Sequence, residues 1–188
     1  MDGYRIALFV HLLALVAASC ASAIVHLAES KRRRAATAHE ALQWLQIAAK
    51  AAPTFPIVLL VLFATGGYMV TAQHGWSWSA GWVDAGVLGV VLLFVNGSVI
   101  GRRSRAAGRA LAGIANGSAP EQALPHDPLV PVLSWSNTGL AMAVVFVMAT
   151  KPELAGSLIA LAVGIAAGMT IALSPKRSGA LVEETSAG

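Results

Sequence analysis

The chain has 188 residues, of which 56% are hydrophobic and only 12% are charged, and its formal net charge is +4. A soluble domain carries about 25% charged residues, so this composition and a mean hydropathy of +0.68 argue against a soluble globular protein. The single cysteine, Cys20, excludes an internal disulfide bond.

Five apolar runs alternate with short polar segments. Each run has about 17–23 residues, and a helix of that length crosses a hydrocarbon core of about 30 Å. Because a bilayer offers the backbone no water, such runs must be helical. The sequence therefore predicts an all-α, multi-pass transmembrane helical bundle that forms a single domain over residues 1–173. The predicted spans are 6–27, 55–71, 81–101, 129–149 and 154–173.

The basic residues predict the orientation of the bundle. If the chain crosses the membrane five times, 11 of the 13 lysines and arginines lie in segments on the same side of the membrane. Positive loops stay cytoplasmic, so we expect the N-terminus outside, the C-terminus inside and a bacterial inner-membrane location. Residues 102–128 are then a cytoplasmic loop and residues 174–188 a disordered cytoplasmic tail. Topology also explains the pI of about 9.7, so we expect no nucleic-acid partner and only weak attraction to anionic lipid.

The first run admits three interpretations. Its core resembles a signal peptide, and the small residues 18–23 resemble a cleavage site. Cys20 could alternatively carry a lipid. We favour a retained helix, because the apolar character continues to Leu27 and the basic cluster follows the run.

Proline and glycine divide the remaining chain. Residues 38–52 have a helical period and predict a juxtamembrane helix, with a kink or break near residues 52–56 caused by two prolines. The third span is expected to continue as a basic helix to about Ile114. The small residues Ala160, Gly164 and Gly168 recur every four positions, which favours close packing within the bundle. Formation of a homo-oligomer through the fifth span is the alternative.

Histidines are the candidate functional residues, because polar groups are costly at membrane depth. His11 lies about 9 Å inside the outer boundary, from the helical rise. Its imidazole is a candidate ligand of haem b or a metal, or alternatively a hydrogen-bond partner of a neighbouring helix. His74, in the outer loop, is the candidate second haem ligand. His26 is expected simply to sit at the cytoplasmic interface, and Asp84 to be a helix-start acid.

Several short motifs together resemble a known family. These are His11, Lys31–Arg34, Pro56, Thr65–Gly67, Gly101–Arg103 and Met148–Pro152. Their order resembles that of a family of bacterial integral membrane proteins known as a domain of unknown function, over about residues 5–152. Its first-helix pattern is distantly similar to those of copper-resistance protein D and HemJ, which implies haem or copper at His11. Here Ala18-Ser19-Cys20 stands where that pattern has a tryptophan followed by glycines.

Three functions remain open at this point. The sequence has no phosphate-cradling glycine loop, paired cysteines, HExxH motif or serine elbow. The leading hypothesis is a non-enzymatic protein that binds a small ligand or a membrane partner protein within the lipid bilayer. One alternative is a redox protein that binds haem b or a metal through His11. The other is a small-solute transporter, although no charged residue lies near the bilayer middle.

Overall fold

A computed structural model describes residues 3–72, 77–116 and 127–174, and within these ranges the chain is helical with short turns and contains no strand. Five stretches are long and apolar enough to cross a membrane, and one of them combines the second and third helices. This confirms the predicted all-α fold with five membrane-spanning candidates, so the chain is an integral membrane protein. The helices are α1 (Gly3–Arg32), α2 (Ala38–Ala51), α3 (Thr54–Ala72), α4 (Gly81–Ala115), α5 (Leu129–Thr150) and α6 (Leu154–Leu173).

The predicted break between the juxtamembrane helix and the second span is confirmed. Helix α2 begins after Thr37, whose hydroxyl accepts a hydrogen bond from the Glu40 amide at 3.2 Å. It ends at Ala51, and α3 begins at Thr54. Pro53, which lies between them, has no N–H to continue the α-helical ladder.

Helix α4 extends well beyond its apolar segment. It has 35 residues, and the predicted continuation to about Ile114 is confirmed. The segment 102–128 is therefore helical as far as Ala115 rather than a loop throughout, while residues 117–126 and the tail from 175 onward lie outside the described residues. The extension is stabilised by α2, because these helices share a buried apolar cluster of Ala38, Ala41, Leu45, Leu111 and Ile114.

Helices α5 and α6 form a hairpin with backbone contact. Lys151 closes α5 in the left-handed conformation at φ 50°. A methyl group on Gly139 would overlap the backbone of Gly164, and one on Gly168 would overlap that of Trp135. The small-residue stripe of the last span therefore packs inside the bundle, as predicted. The glycine at position 97 has no such role, because a methyl group there would meet nothing within 4 Å.

The helices form two groups. In the N-terminal group, α1 packs along α2 and α3, and in the C-terminal group α4, α5 and α6 pack together. The two groups meet mainly where α2 contacts the end of α4, and only briefly where α1 approaches α5 and α3 approaches α4. The side chains of Leu140 and Val147 on α5 are fully buried, as is that of Leu111 on α4, so buried side chains lie both within the C-terminal group and where α4 meets α2.

Candidate functional site

A polar contact near the N-terminal end of α1 joins this helix to α3 through His11. Its Nδ1 lies 2.9 Å from the Thr65 hydroxyl, and the pair is partly buried. His11 is thus hydrogen-bonded to a neighbouring helix, which was one of its two predicted roles. Its Cε1 lies 3.6 Å from the place that a Cβ on Gly66 would take, so the absence of a side chain there lets the imidazole lie close to α3.

The hydrogen bonds of Thr65 favour one tautomer of His11. The Thr65 hydroxyl lies 2.6 Å from the Val61 carbonyl, to which it can donate, and a hydroxyl has only one proton to donate. With that proton used, the hydroxyl accepts the bond from His11, an arrangement that matches the tautomer with its proton on Nδ1. A neutral imidazole then has its lone pair on Nε2, which is the form that ligates a metal or haem iron.

A second polar contact joins α1 to α5 and thereby connects the two groups of helices. We call it the inner contact, because it lies toward the end of α1 that the sequence predicts to be cytoplasmic. His26 Nε2 lies 2.8 Å from the Thr138 hydroxyl, and the His26 ring stacks on Trp135 with 4.3 Å between ring centroids. The Ser22 hydroxyl lies at the limit of hydrogen bonding from the same threonine, at 3.5 Å. The expectation that His26 merely sits at the interface is wrong, because its ring and its Nε2 both contact a distant helix.

A charged cluster follows one turn later on α1. The Glu29 carboxylate accepts two hydrogen bonds from Arg32, both at 2.8 Å. It also accepts one from Arg33 Nε at 2.9 Å. The side chains of Glu29 and Arg32 are only 14% and 9% exposed. A buried charge requires a partner, and each arginine shares the same carboxylate.

A second ion pair lies beside this cluster. Arg103 on α4 donates to Asp127, just before α5, at 2.8 Å. The hydrogen bond from Arg103 holds the pKa of Asp127 below its usual value, and the backbone amide of Leu129 adds to the effect. Asp127 is also close enough to interact electrostatically with Arg32. The C-terminal end of α1, the Arg103 region within α4 and the residue before α5 therefore contribute to one charged cluster.

An apolar groove of about 640 Å³ runs along α5 and α6 and opens sideways. Its lining includes Gly139, Gly164 and Ala167, together with Trp135 and Thr138. The groove forms because small residues let the two backbones approach closely, while the larger side chains on either side project beyond them. Trp135 and Thr138 also contact His26, so one stretch of the groove adjoins the inner polar contact.

Asp84 and His39 lie apart from these contacts. Asp84 is exposed in the first turn of α4, which confirms its assignment as a helix-start acid. His39 is exposed and lies 3.2 Å from Gln43 on its own helix. His74 and His126 lie outside the described residues. Within the described ranges, no three histidine, cysteine or acidic residues are grouped to hold a metal ion.

Sequence reasoning missed the inner contact although the sequence carried a signal for it. Ser22, His26 and Glu29 are spaced by four and three residues, which places them on one side of a helix. A polar stripe of this kind in the inner half of an apolar helix indicates a face that packs against protein rather than lipid. Neither the partner residue Thr138 nor its helix could be read from that spacing.

Comparisons with protein-family models, curated proteins and solved structures find no match to this chain.

Proposed function

We propose that the chain is a protein of the bacterial inner membrane that binds a small, bilayer-soluble amphiphile and catalyses no reaction itself. The observation that carries this proposal is the sideways-opening groove along α5 and α6. A molecule dissolved in the lipid can enter such a groove without crossing a polar surface. The proposed orientation follows from the basic segments, with the N-terminus outside.

The size and the lining of the groove support a small ligand. Small-molecule sites have volumes of about 300–1,000 Å³, mostly apolar walls and a few placed polar groups. The groove volume of about 640 Å³ lies in that range. Its polar groups are the Thr138 hydroxyl and the Trp135 indole, so an apolar tail would lie along the glycines and a polar head near these two residues.

A crosslinking experiment tests the groove. The full-length protein in bilayer nanodiscs is exposed to a palmitic acid analogue that carries a photoactivatable diazirine, and labelled peptides are identified by mass spectrometry. We expect labelling on α5 and α6. Ala167→Phe fills the groove, so labelling should fall about fivefold for a loss of about 1 kcal/mol of contact.

Ala166→Phe is the matched control. Ala166 is also exposed on α6 but does not line the groove, so this variant should label like the wild type. Equal labelling in both variants would refute the groove as a ligand site. Crosslinks between two copies of the chain at these positions would instead assign the groove to self-association.

The orientation has its own test. In a Cys20→Ala background, a cysteine introduced at Ser77 should react with an impermeant maleimide added outside the cells. A cysteine at Ser118 should react only after permeabilisation. The reverse result would contradict the orientation without affecting the groove.

Haem binding through His11 is the second candidate function. It is favoured by the Nδ1–H tautomer, which leaves the Nε2 lone pair for an iron ligand. His11 would hold the iron through Nε2, and His74, the predicted second ligand, lies outside the described residues. Bound haem would supply one-electron redox chemistry. Thr65 would orient the ring, as hydrogen-bond partners of haem and metal ligands generally do.

Visible spectroscopy separates the two candidates. After expression with added haem, the purified protein should show a Soret band and a reduced-minus-oxidised difference spectrum if His11 binds haem. His11→Ala should abolish both, whereas His39→Ala removes an exposed histidine and should leave them unchanged. A wild-type protein without a Soret band would dispose of the haem candidate.

A further inference from the structure

The inner end of α1 contains a cationic group that the fold buries without a complete set of partners. Arg33 uses its Nε to bond Glu29, while its NH2 nitrogen is buried and has no hydrogen-bond partner within the described residues. A buried guanidinium nitrogen without an acceptor is costly. Each such group in a native protein requires an explanation, and a bound ion is one of the recognised ones.

The neighbouring charges leave one positive charge without a counter-charge. Arg32 and Arg33 pair with Glu29, and Arg103 pairs with Asp127, which also interacts electrostatically with Arg32. Arg32 forms two hydrogen bonds with Glu29, and Arg103 forms one with Asp127. Arg33 shares a carboxylate that Arg32 already neutralises. Its charge is therefore the one that remains, and its side chain, which is 24% exposed, can be reached by a ligand.

The position of the cluster identifies the chemistry of the ligand. Arg33 follows directly after the last residue of α1, whose apolar segment crosses the membrane, so it lies at the level of lipid head groups. The guanidinium group matches phosphate oxygens in geometry and charge. Basic pockets between transmembrane helices on the cytoplasmic side bind anionic head groups.

We propose that Arg33, with the adjoining Arg32 and Arg103, forms a binding site for the phosphodiester of one anionic phospholipid of the inner leaflet. The partly exposed Arg33 guanidinium donates to a phosphate oxygen, and the lipid's single negative charge balances the cluster. This site is separate from the groove along α5 and α6, so it does not depend on the proposed amphiphile; its assignment to the inner leaflet rests on the proposed orientation.

Native mass spectrometry of the full-length protein in dodecyl maltoside tests the site. The protein is titrated with phosphatidylglycerol or, in parallel, with zwitterionic phosphatidylcholine. We expect one phosphatidylglycerol to bind more tightly than further copies and more tightly than phosphatidylcholine. Arg33→Gln should weaken that first binding step about tenfold, since a hydrogen bond to a charged group is lost.

Arg34→Gln is the matched control. It removes the same charge from the next residue, which is exposed and forms no side-chain hydrogen bond or ion pair with the described residues. Its affinity for the lipid should stay within about twofold of the wild type, because an exposed charge contributes little at short range. An equal loss in Arg34→Gln, or equal binding of phosphatidylcholine, would overturn the proposal in favour of general electrostatic attraction.

Two further arms complete the test. Inorganic phosphate added at millimolar concentration should not displace the lipid, and displacement would assign the site to a soluble anion instead. If Arg33→Gln fails to fold, Arg33→Lys keeps the charge but loses the planar fork. That variant should still bind the first lipid more weakly than the wild type, and unchanged binding would refute the assigned role of the guanidinium.

Discussion

The contact between His26 and Thr138 should stabilise the arrangement of the two helix groups. It is a 2.8 Å hydrogen bond between α1 and α5, and these helices otherwise touch only briefly. Thr138→Val keeps the shape of the side chain and removes the hydroxyl. His26→Ala removes the same hydrogen bond together with the ring that stacks on Trp135.

The structure gives the expected size of each effect. Interhelical hydrogen bonds in membranes contribute on average about 0.6 kcal/mol and at most about 1.7 kcal/mol. A stacked ring pair adds about 0.5–1.5 kcal/mol. Thr138→Val should therefore lower the free energy of unfolding by about 1 kcal/mol, and His26→Ala by about 2 kcal/mol.

A double-mutant cycle isolates the hydrogen bond. Unfolding is followed by tryptophan fluorescence in dodecyl maltoside micelles with increasing dodecyl sulfate. The coupling energy between His26→Ala and Thr138→Val should be about 0.6–1.7 kcal/mol. Thr170→Val is the control, because that hydroxyl bonds only to the Ala167 carbonyl of its own helix. A coupling below about 0.3 kcal/mol, or one no larger than with Thr170→Val, would refute the structural role of the contact.

Three further effects follow from the same structure. Gly164→Leu should lower the unfolding free energy by about 3 kcal/mol or more, because the new side chain would overlap the backbone of α5. Gly97→Leu is the control, because the surroundings of Gly97 are open, and it should lower the unfolding free energy by under about 1 kcal/mol. Glu29→Gln leaves the buried guanidinium beside it without a counter-charge and should cost about 3 kcal/mol by the same assay, and a loss below about 1 kcal/mol would contradict this reasoning. The pKa of Asp127 is lower in the folded than in the unfolded state, so its stabilisation is complete above its unfolded pKa and disappears as the pH falls through the folded pKa. Unfolding measured from about pH 5 to pH 3 should show a loss of about 0.5 kcal/mol, which is small because the pair is partly exposed. In Arg103→Gln the loss should be smaller but not zero, because the backbone amide of Leu129 still bonds the carboxylate.

The sequence predicted the features of this fold that depend on local composition. Run length and apolarity predicted the spans, because the bilayer constrains both. Pro53 predicted the break between α2 and α3, because it lacks a backbone donor. The spacing of Gly164 and Gly168 predicted close packing within the bundle. Each of these inferences needs only neighbouring residues and the properties of the solvent.

The sequence could not predict contacts that depend on which helices are adjacent. Thr65 and Thr138 are ordinary helical threonines until α3 and α5 lie against α1. The basic cluster shows a similar limit for a different reason. Arg33 and Arg34 are equivalent in composition, and only the turn that ends α1 directs the first inward and leaves the second exposed.

Replacing His11 and replacing His26 should therefore have different effects on the protein. His11 bonds Thr65 within the N-terminal group, whereas His26 bonds Thr138 across the two groups. Removing His11 should leave the coupling between His26 and Thr138 intact, because no contact of His11 reaches α5. A variant that loses a visible spectrum yet keeps that coupling would thus have lost a ligand rather than its fold. The coupling energy of the inner contact therefore serves as the folding control in any test of cofactor binding at His11.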